Sequence, residues 1–462
     1  MLTLRPANEV DDRELQPLYE KLQTSITLAS LVLAAWQLGL WFARKLVEQQ
    51  LQERAQAPQT WSHCATCGSR LESKGFVPRR MLTLVGWVEW RRRVGRCPNR
   101  CAGSHSIPFD AVLGITAYQQ TSIELMRLGC LLAVFLPFEI AVHLLMQLCG
   151  IRISDDSVWH WVQHFGRQAS VQLDAEWEQL AQGIEPKVES LDPEWTDLPL
   201  AIAADGVSVP FRPQSGTAKG KIQFREVKIA VLARLKSVQN RQEQSITRLV
   251  QRRFVAVLGD LNTLQARLHL EALRQGSTSA AQVVWISDGA RGFWRLFEQH
   301  WAGVAIGILD FYHAAQQLWQ AAEAYGNTLP TRTSKQWFEQ LRHQLRHGYV
   351  HRILKELGRL LTYASTPESA KPTLKRVQQY LSTHLAHVQY RTFKKLGFPI
   401  GSGMVESACK WLITQRFKGT GMRWSESGFN HLLHLRLAWV NQRFDSLFAD
   451  HPLTLELHSP NQ

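Results

Sequence analysis

The sequence predicts an α/β chain: a mixed sheet carrying a long all-helical insertion, preceded by helical and cysteine-bearing regions. Three observations carry that expectation. Between residues 200 and 312, three strand-like apolar runs are followed by a helix and then by alternating strand and helix. Residues 313–395 hold no convincing strand, only helical spacing. Ahead of both, two close pairs of cysteines flank a short β-rich stretch.

The chain has 462 residues, 45% of them hydrophobic and 20% charged, with a formal net charge of +14. That charge suits a polyanionic partner, because phosphate neutralisation dominates nucleic-acid affinity. The opening MLTLRPANEVDDRELQ lacks a basic start followed by an apolar core, so no targeting segment is read there. Leu28 to Phe42 is apolar but short for a bilayer span, and it runs into Arg44, Lys45 and Glu48. It is expected to be an amphipathic helix packed within the protein, and no membrane partner is expected. Seven cysteines, odd in number and unevenly spaced, argue against a secreted disulfide scaffold and for a reducing cytoplasm.

In order along the chain, residues 1–60 form an N-terminal region with helical spacing over 12–56. The next interval, 61–108, contains HCATCGSR, the apolar run RMLTLVGWVEWRRR and then RCPNRCAGSH. Cys64 and Cys67, with Cys97 and Cys101, offer four thiolates on two tight turns, the donor set of a tetrahedral structural zinc site. Thr83, Val85, Trp87 and Val88 make the connection β-rich, so a zinc ribbon is expected, its folding energy supplemented by Zn2+. His63 and His105 are alternative ligands that a complete thiolate set makes unnecessary. Cys130, Cys149 and Cys409 share no spacing and are expected to be buried or incidental.

Residues 109–182 read as a helix-turn-helix-like DNA-binding domain. Its signal is FEIAVHLLMQLCGIRISDDSVWHWVQHFG, with a break at Gly150, Ser154 as N-cap and a second helix carrying Val158, Trp161, Val162 and Phe165. An ordinary helical hairpin has the same pattern. The segment 183–199, GIEPKVESLDPEWTDLP, reads as a linker.

The core begins at 200. LAIAAD, REVKIAVLARL and RRFVAVLG are read as strands, LNTLQARLHLEALRQG as a helix closed by Gly276, AQVVWISD as a buried strand, ARGFWRLFEQHW as a helix and VAIGILD as a strand. This is the order of a ribonuclease-H-like fold, with residues 200–312 as its first part and 399–462 as its last helices. The insertion between them, 313–398, is strongly basic. From Thr331 to Lys395 there are thirteen Lys or Arg against three acidic residues, the make-up of a phosphate-contacting surface.

Three acids recur at element ends: Asp205 in LAIAADGVSVPFR, Asp288 in AQVVWISDGARGFW and Glu406 in GSGMVESACKW. Converging, they would form an oxygen cage for Mg2+ or Mn2+, the ions phosphoryl transfer on nucleic acid uses. Asp310 also ends an apolar strand and competes with Asp288 as second ligand. With His313 it lies on one face of a helical first turn, placed to orient a ligand, steer a strand, or cap and pack. Lys410, Arg416, Lys418 and Arg423 are candidate DNA contacts.

Taken together, ADG, ISDGARGFW, ILDFYHA, GSGMVES and RFKGTGMRWSESG resemble the Mutator-like DDE superfamily of bacterial insertion-sequence transposases, closest to the ISKra branch. The resemblance covers nearly the whole chain. It implies a catalytic Asp205–Asp288–Glu406 triad on a ribonuclease-H-like core, with Asp310 and His313 of DFYH matching a second signature of Asp or Cys followed three residues later by His. It further implies a Mg2+-dependent DNA transposase with double-stranded DNA as partner, both element terminal inverted repeats and target. A homodimer or higher oligomer on DNA and a nucleoid-associated location follow from the same resemblance. In such chemistry two metal ions, about 4 Å apart, activate a nucleophile and stabilise the leaving oxygen of an in-line displacement. Two other readings remain at this point: a ribonuclease-H-like nuclease that cuts without joining, and a catalytically inactive DNA-binding regulator.

Overall fold

The computed structural model describes residues 12–58, 60–103, 105–213, 221–243, 245–326 and 333–448; the opening segment 1–11 and the tail 449–462 of the expected terminal regions lie outside the described residues. The chain divides into two compact units, Met1–Val162 with Phe448–Gln462, and Gln163–Leu447.

The first unit opens with helices Asp12–Gln23 and Leu28–Gln56, the second started by a capping box in which Thr27 and Ser30 exchange hydrogen bonds. Strands β1 (Glu72–Thr83), β2 (Gly86–Arg96) and β3 (His105–Ser106) make an antiparallel sheet in that order. β3 pairs with β2 only at Gly95 and Arg96, which leaves the first half of β2 with a bare edge. Glu48 and Gln52 of the long helix cover it, accepting from the backbone N–H of Glu89 at 3.1 Å and of Arg91 at 2.9 Å. Ala55, Met81, Val88, Trp90 and Phe109 form the apolar core beneath.

The apolar start of the long helix is not packed as expected. Ala34 is buried, but Leu28, Val32, Leu33 and Trp36 are each more than half exposed. One face of a helix that is apolar all round meets the sheet, and the rest is left over. Among the described residues, no helix is long and apolar enough to cross a membrane.

Helices Ile123–Phe135 and Phe138–Cys149 close the unit's second core, around Leu82, Leu125, Leu145 and Ile151. Gly150 takes the left-handed conformation that ends the helix before it, at φ +68°. Ser154 caps the next helix by accepting from Ser157 N at 3.1 Å. That helix, Asp155–Ala181, runs well past Phe165, the last apolar position named for it in the sequence.

The second unit holds a five-stranded sheet in the order β6-β5-β4-β7-β8. The strands are β4 (Leu200–Phe211), β5 (Gln223–Gln239), β6 (Ser245–Val257), β7 (Val283–Ser287) and β8 (Ala305–Leu309). β4, β5 and β6 are antiparallel neighbours, while β7 and β8 run parallel to β4. The helices Leu261–Arg274 and Arg291–His300 supply the crossovers that parallel pairing requires. This is the expected ribonuclease-H-like core. Its central strands are near-continuous apolar runs because both faces are covered, and Trp285 of β7 is fully buried.

One expectation is corrected. Asp205 was to end the first strand, but β4 continues to Phe211 and pairs with β5 along its whole length. Val207, Val209 and Phe211 carry the period-two pattern past the acid. Gly206 sits where a Cβ would lie 2.4 Å from Glu226 Oε1, so a larger residue there would push the Glu226 side chain of the neighbouring strand aside.

The insertion comprises helices Phe311–Gly326, Ser334–Arg346, Val350–Thr362, Lys371–Thr383 and Tyr390–Lys395, with no strand among the described residues. It leaves and re-enters the core at one point, where Phe311 N donates to Ile400 O at 2.8 Å. Helix Gly403–Ala408, a π-helical turn Cys409–Thr414 and helix Glu426–Val440 complete the unit.

Candidate metal centre and nucleic-acid face

Parallel pairing of β4 with β7 stops at Ala204↔Ser287, and that of β7 with β8 stops at Ser287↔Leu309. The next residue on each strand is an aspartate: Asp205, Asp288, Asp310. The acids therefore occupy one rung across three neighbouring strands, with Asp288 in the middle and a strand spacing of about 4.8 Å.

Helix Gly403–Ala408 brings the fourth acid. Its N-terminus is fixed by Ser402, whose backbone N–H donates to Asp310 Oδ2 and whose hydroxyl donates to Glu406 Oε1 at 3.0 Å. One turn on, the Cys409 thiol donates to Asp205 Oδ2 at 3.8 Å. Both ends of this short segment are thus tied to aspartates of the rung, Asp310 at the end of β8 and Asp205 within β4. Among the described residues, Asp310, His313 and Glu406 bring one ligand atom each within 4.8 Å of one another; Asp205 and Asp288 stand outside that trio.

The aspartates differ in how they are held. Asp310 is fully buried, and its oxygens accept from the backbone of His313 at 2.7 Å and of Ser402. His313 Nδ1 lies 3.1 Å from Asp310 Oδ1, a close ion pair set off the ideal hydrogen-bond direction. Burial pushes the Asp310 carboxyl up, but these donors outweigh it and the net direction is down. The Asp310 partner in turn raises His313 to about 9. Asp205 is half-buried and moves the other way, raised by burial and by the charge of Asp288. Its Oδ1 accepts from Gly206 N at 2.7 Å. Asp288, also half-buried, accepts from Ala290 N at 3.0 Å through one oxygen, leaving the other without a donor among the described residues. Two carboxylates that repel each other and keep spare lone pairs suit a divalent cation bound by oxygen.

The second cluster is in the first unit. Cys64, Cys67, Cys97 and Cys101 bring their sulfurs within 4.8 Å of one another, with Cys67 and Cys97 at 3.4 Å. Two turns make this possible: Gly68 N donates to Cys64 O at 2.9 Å with Gly68 at φ +72°, and Arg100 N donates to Cys97 O at 3.1 Å. Donors from Ser69 and Asn99 pull Cys67 down to about 5, while its neighbour Cys67, then burial, push Cys101 up to about 12. Four thiols this close cannot all ionise unaided, and a soft dication is what would let them. His63 and His105 are exposed and lie outside the group.

Of the basic candidates, Lys410, Lys418 and Arg423 are exposed, whereas Arg416 is buried with its guanidinium over Trp424 at 5.4 Å. On the insertion, Arg342, Arg346, Arg352, Lys355, Arg391 and Lys394 are exposed.

Three residues at the centre escape sequence reasoning. Ser402 was within reach, since GSGMVES places it four residues before Glu406, the spacing of a helical side-chain contact. Cys409, expected to be buried or incidental, is buried, and it is buried against Asp205; burial and then Asp205 raise its thiol, so it remains a donor. Tyr380 comes from the insertion, and burial followed by Asp288 and Asp310 raises its hydroxyl too. Neither the Cys409 nor the Tyr380 contact has a local spacing that announces it.

No family model and no curated protein matches the chain. Among solved structures it is similar to the Drosophila P element transposase strand transfer complex, at 12% identity over 71% of this chain and 80% of that one. The TM-score is 0.26, which does not establish a shared fold.

Proposed function

We propose that the chain is a divalent-metal-dependent DDE transposase, cutting DNA at the ends of an insertion sequence and joining the freed 3′-hydroxyl to target DNA. The observation that carries this is the rung of aspartates on β4, β7 and β8, with Glu406 brought over it by a helix anchored to two of them. Asp205, Asp288 and Glu406 would hold the ions. Bound there, Mg2+ or Mn2+ supplies Lewis-acid activation of the attacking oxygen and stabilisation of the leaving one.

The remaining groups position. Asp310, saturated by backbone donors, fixes the end of β8 to the loop before Glu406. Cys409 and Ser402 set the carboxylate rotamers of Asp205 and Glu406. The exposed Lys410, Lys418 and Arg423, with the basic insertion, take the DNA backbone, and Arg416 packs against Trp424. The four-cysteine unit holds a structural Zn2+, and the helices around Gly150 read element ends. The narrower kinship with the ISKra branch, assembly of two or more copies on DNA, and action at the nucleoid complete this reading.

The tight trio Asp310, His313 and Glu406 favours a second arrangement, in which Asp310 replaces Asp288 as ligand. A strand-transfer assay on duplex carrying the terminal repeats that flank this gene, with Mg2+ present, tests both. Wild-type protein should cut and join. Cutting without joining would leave a nuclease, and binding without either would leave a regulator. Joining by the Asp288→Asn variant but not by Asp310→Asn would assign the ligand to Asp310.

A further inference from the structure

The residue after Asp288 is Gly289, and a side chain there has nowhere to go. An added Cβ would lie 2.2 Å from Cε2 of Tyr380, 2.4 Å from its hydroxyl oxygen and 2.7 Å from Cζ. The ring of Tyr380, on insertion helix Lys371–Thr383, therefore rests directly on the backbone beside a carboxylate of the centre. The contact is braced. Trp294 Nε1 donates to the carbonyl of Asp288, and the Trp294 ring packs on His384 at 4.9 Å and His387 at 4.4 Å, just beyond that helix. His387 Nδ1 meets Gly307 O of β8 at 3.0 Å. A neutral phenol thus sits over the middle strand of the acid rung, and its hydroxyl has no hydrogen-bond partner among the described residues.

A half-buried hydroxyl that donates to no protein group among the described residues yet stays open to solvent, facing acids that are to hold cations, fits one ligand chemistry: an anionic oxygen arriving with those cations. Resting on the transposase reading above, we propose that Tyr380 is a substrate-contacting residue, its hydroxyl donating to a non-bridging oxygen of the scissile phosphodiester, and that Gly289 is glycine to admit it. Charge on those oxygens shifts during in-line displacement, so a fixed donor acts where transition-state stabilisation is largest. The helical insertion then contributes to the chemistry and not only to DNA affinity.

Tyr380→Phe keeps the ring and removes the hydroxyl. Its single-turnover cutting of terminal-repeat duplex in Mg2+ should fall by about tenfold to a hundredfold, in the range seen for loss of one oxyanion donor or somewhat below. DNA affinity and melting temperature should not move. Sulfur accepts hydrogen bonds poorly, so placing it at the scissile phosphate supplies the control a packing role would not pass. The Tyr380→Phe penalty should shrink for one phosphorothioate diastereomer and persist for the other. Gly289→Ala, which drives the ring away, should match the Phe variant's loss or exceed it. A Tyr380→Phe protein that cuts at the wild-type rate, or a penalty equal on both diastereomers, overturns the Tyr380 assignment while the transposase reading stands. Wild-type protein inert on this duplex, or an Asp205→Asn variant as active as wild type, overturns the reading and the assignment with it.

Discussion

The chain gathers candidate metal ligands in two places and builds them by opposite rules. The cysteine cluster is local: its four residues lie within the interval 64–101, on two turns of one small sheet, and their sulfurs already stand within 4.8 Å. The carboxylate centre is assembled from distant parts of the chain, and the structure holds its acids with unequal tightness. Asp310 is fully buried and saturated with donors, while Asp205 and Asp288 are half-buried and Asp288 keeps one oxygen without a donor among the described residues. A site that must stay closed can be specified by spacing in a short segment. One that must admit a substrate is specified by a rigid sheet, with the acids left partly unsatisfied at its rim.

That contrast can be broken most severely at the cysteines. Purified protein should carry about one zinc per chain, and stripping it, or changing Cys97 to Ser, should unfold residues 61–106, because structural zinc contributes on the order of 10 kcal/mol in small domains. Metal analysis and hydrogen-exchange protection over that interval are the measurements. A metal-free protein with the interval still protected would remove the zinc assignment.

At the carboxylates the fold should survive and the chemistry should not. Asp205→Asn and Glu406→Gln are expected to lower cutting and joining by about a thousandfold or more, equivalent to several kcal/mol of transition-state stabilisation. DNA binding should persist. The metal-free Asp205→Asn protein should melt no lower than wild type, since burial and then the charge of Asp288 oppose ionisation of Asp205. A large drop in melting temperature would mean that Asp205 holds the fold together, as a cysteine ligand does.

Asp310 is the intermediate case. Its carboxyl is net lowered on folding, so its stabilisation is complete above the unfolded value, about 3.9, and is lost as pH falls through the lower folded value. Asp310→Asn should cost about 1–3 kcal/mol at neutral pH by placing an amide against buried donors. Melting curves between pH 3 and about 7 should show that cost shrinking toward the acid end, while Asp288→Asn, with one backbone donor where Asp310 has two, costs less at neutral pH. Equal melting of the two variants would erase the distinction between keystone and ligand.

The smallest expected effect is a difference in thiol reactivity. In the first moments after chelation, before residues 61–106 lose their fold, exposed Cys67, held near 5, should be alkylated well before Cys101, pushed up to about 12. Mass spectrometry after brief iodoacetamide treatment at neutral pH reads the order, and indistinguishable rates would refute it.

Much of the core was legible because strands, crossovers and Gly276 leave periodic or conformational marks in sequence. The cysteine quartet was legible for the same reason of spacing. Asp205 was misplaced because a polar residue within an apolar run looks like a strand end, although Val207, Val209 and Phe211 continue the alternation. The π-helical turn at Cys409–Thr414 has no compositional signature, since it adds one residue per turn without changing residue types. Tyr380 against Gly289, and Cys409 against Asp205, depend on contacts between segments far apart in sequence. Neither has a pattern to read.

The hydrogen bond from Phe311 to Ile400 closes residues 312–399 into an excursion that begins and ends at one spot on the core. Seen from the sheet, the insertion is a cassette. Its length can drift at little cost, because loop-closure entropy grows only with the logarithm of the enclosed chain. An exchanged cassette would therefore leave the aspartate rung and Glu406 standing, but without Tyr380 above Gly289. Inheritance can in this way change what presses on the rung while the carboxylates themselves stay fixed.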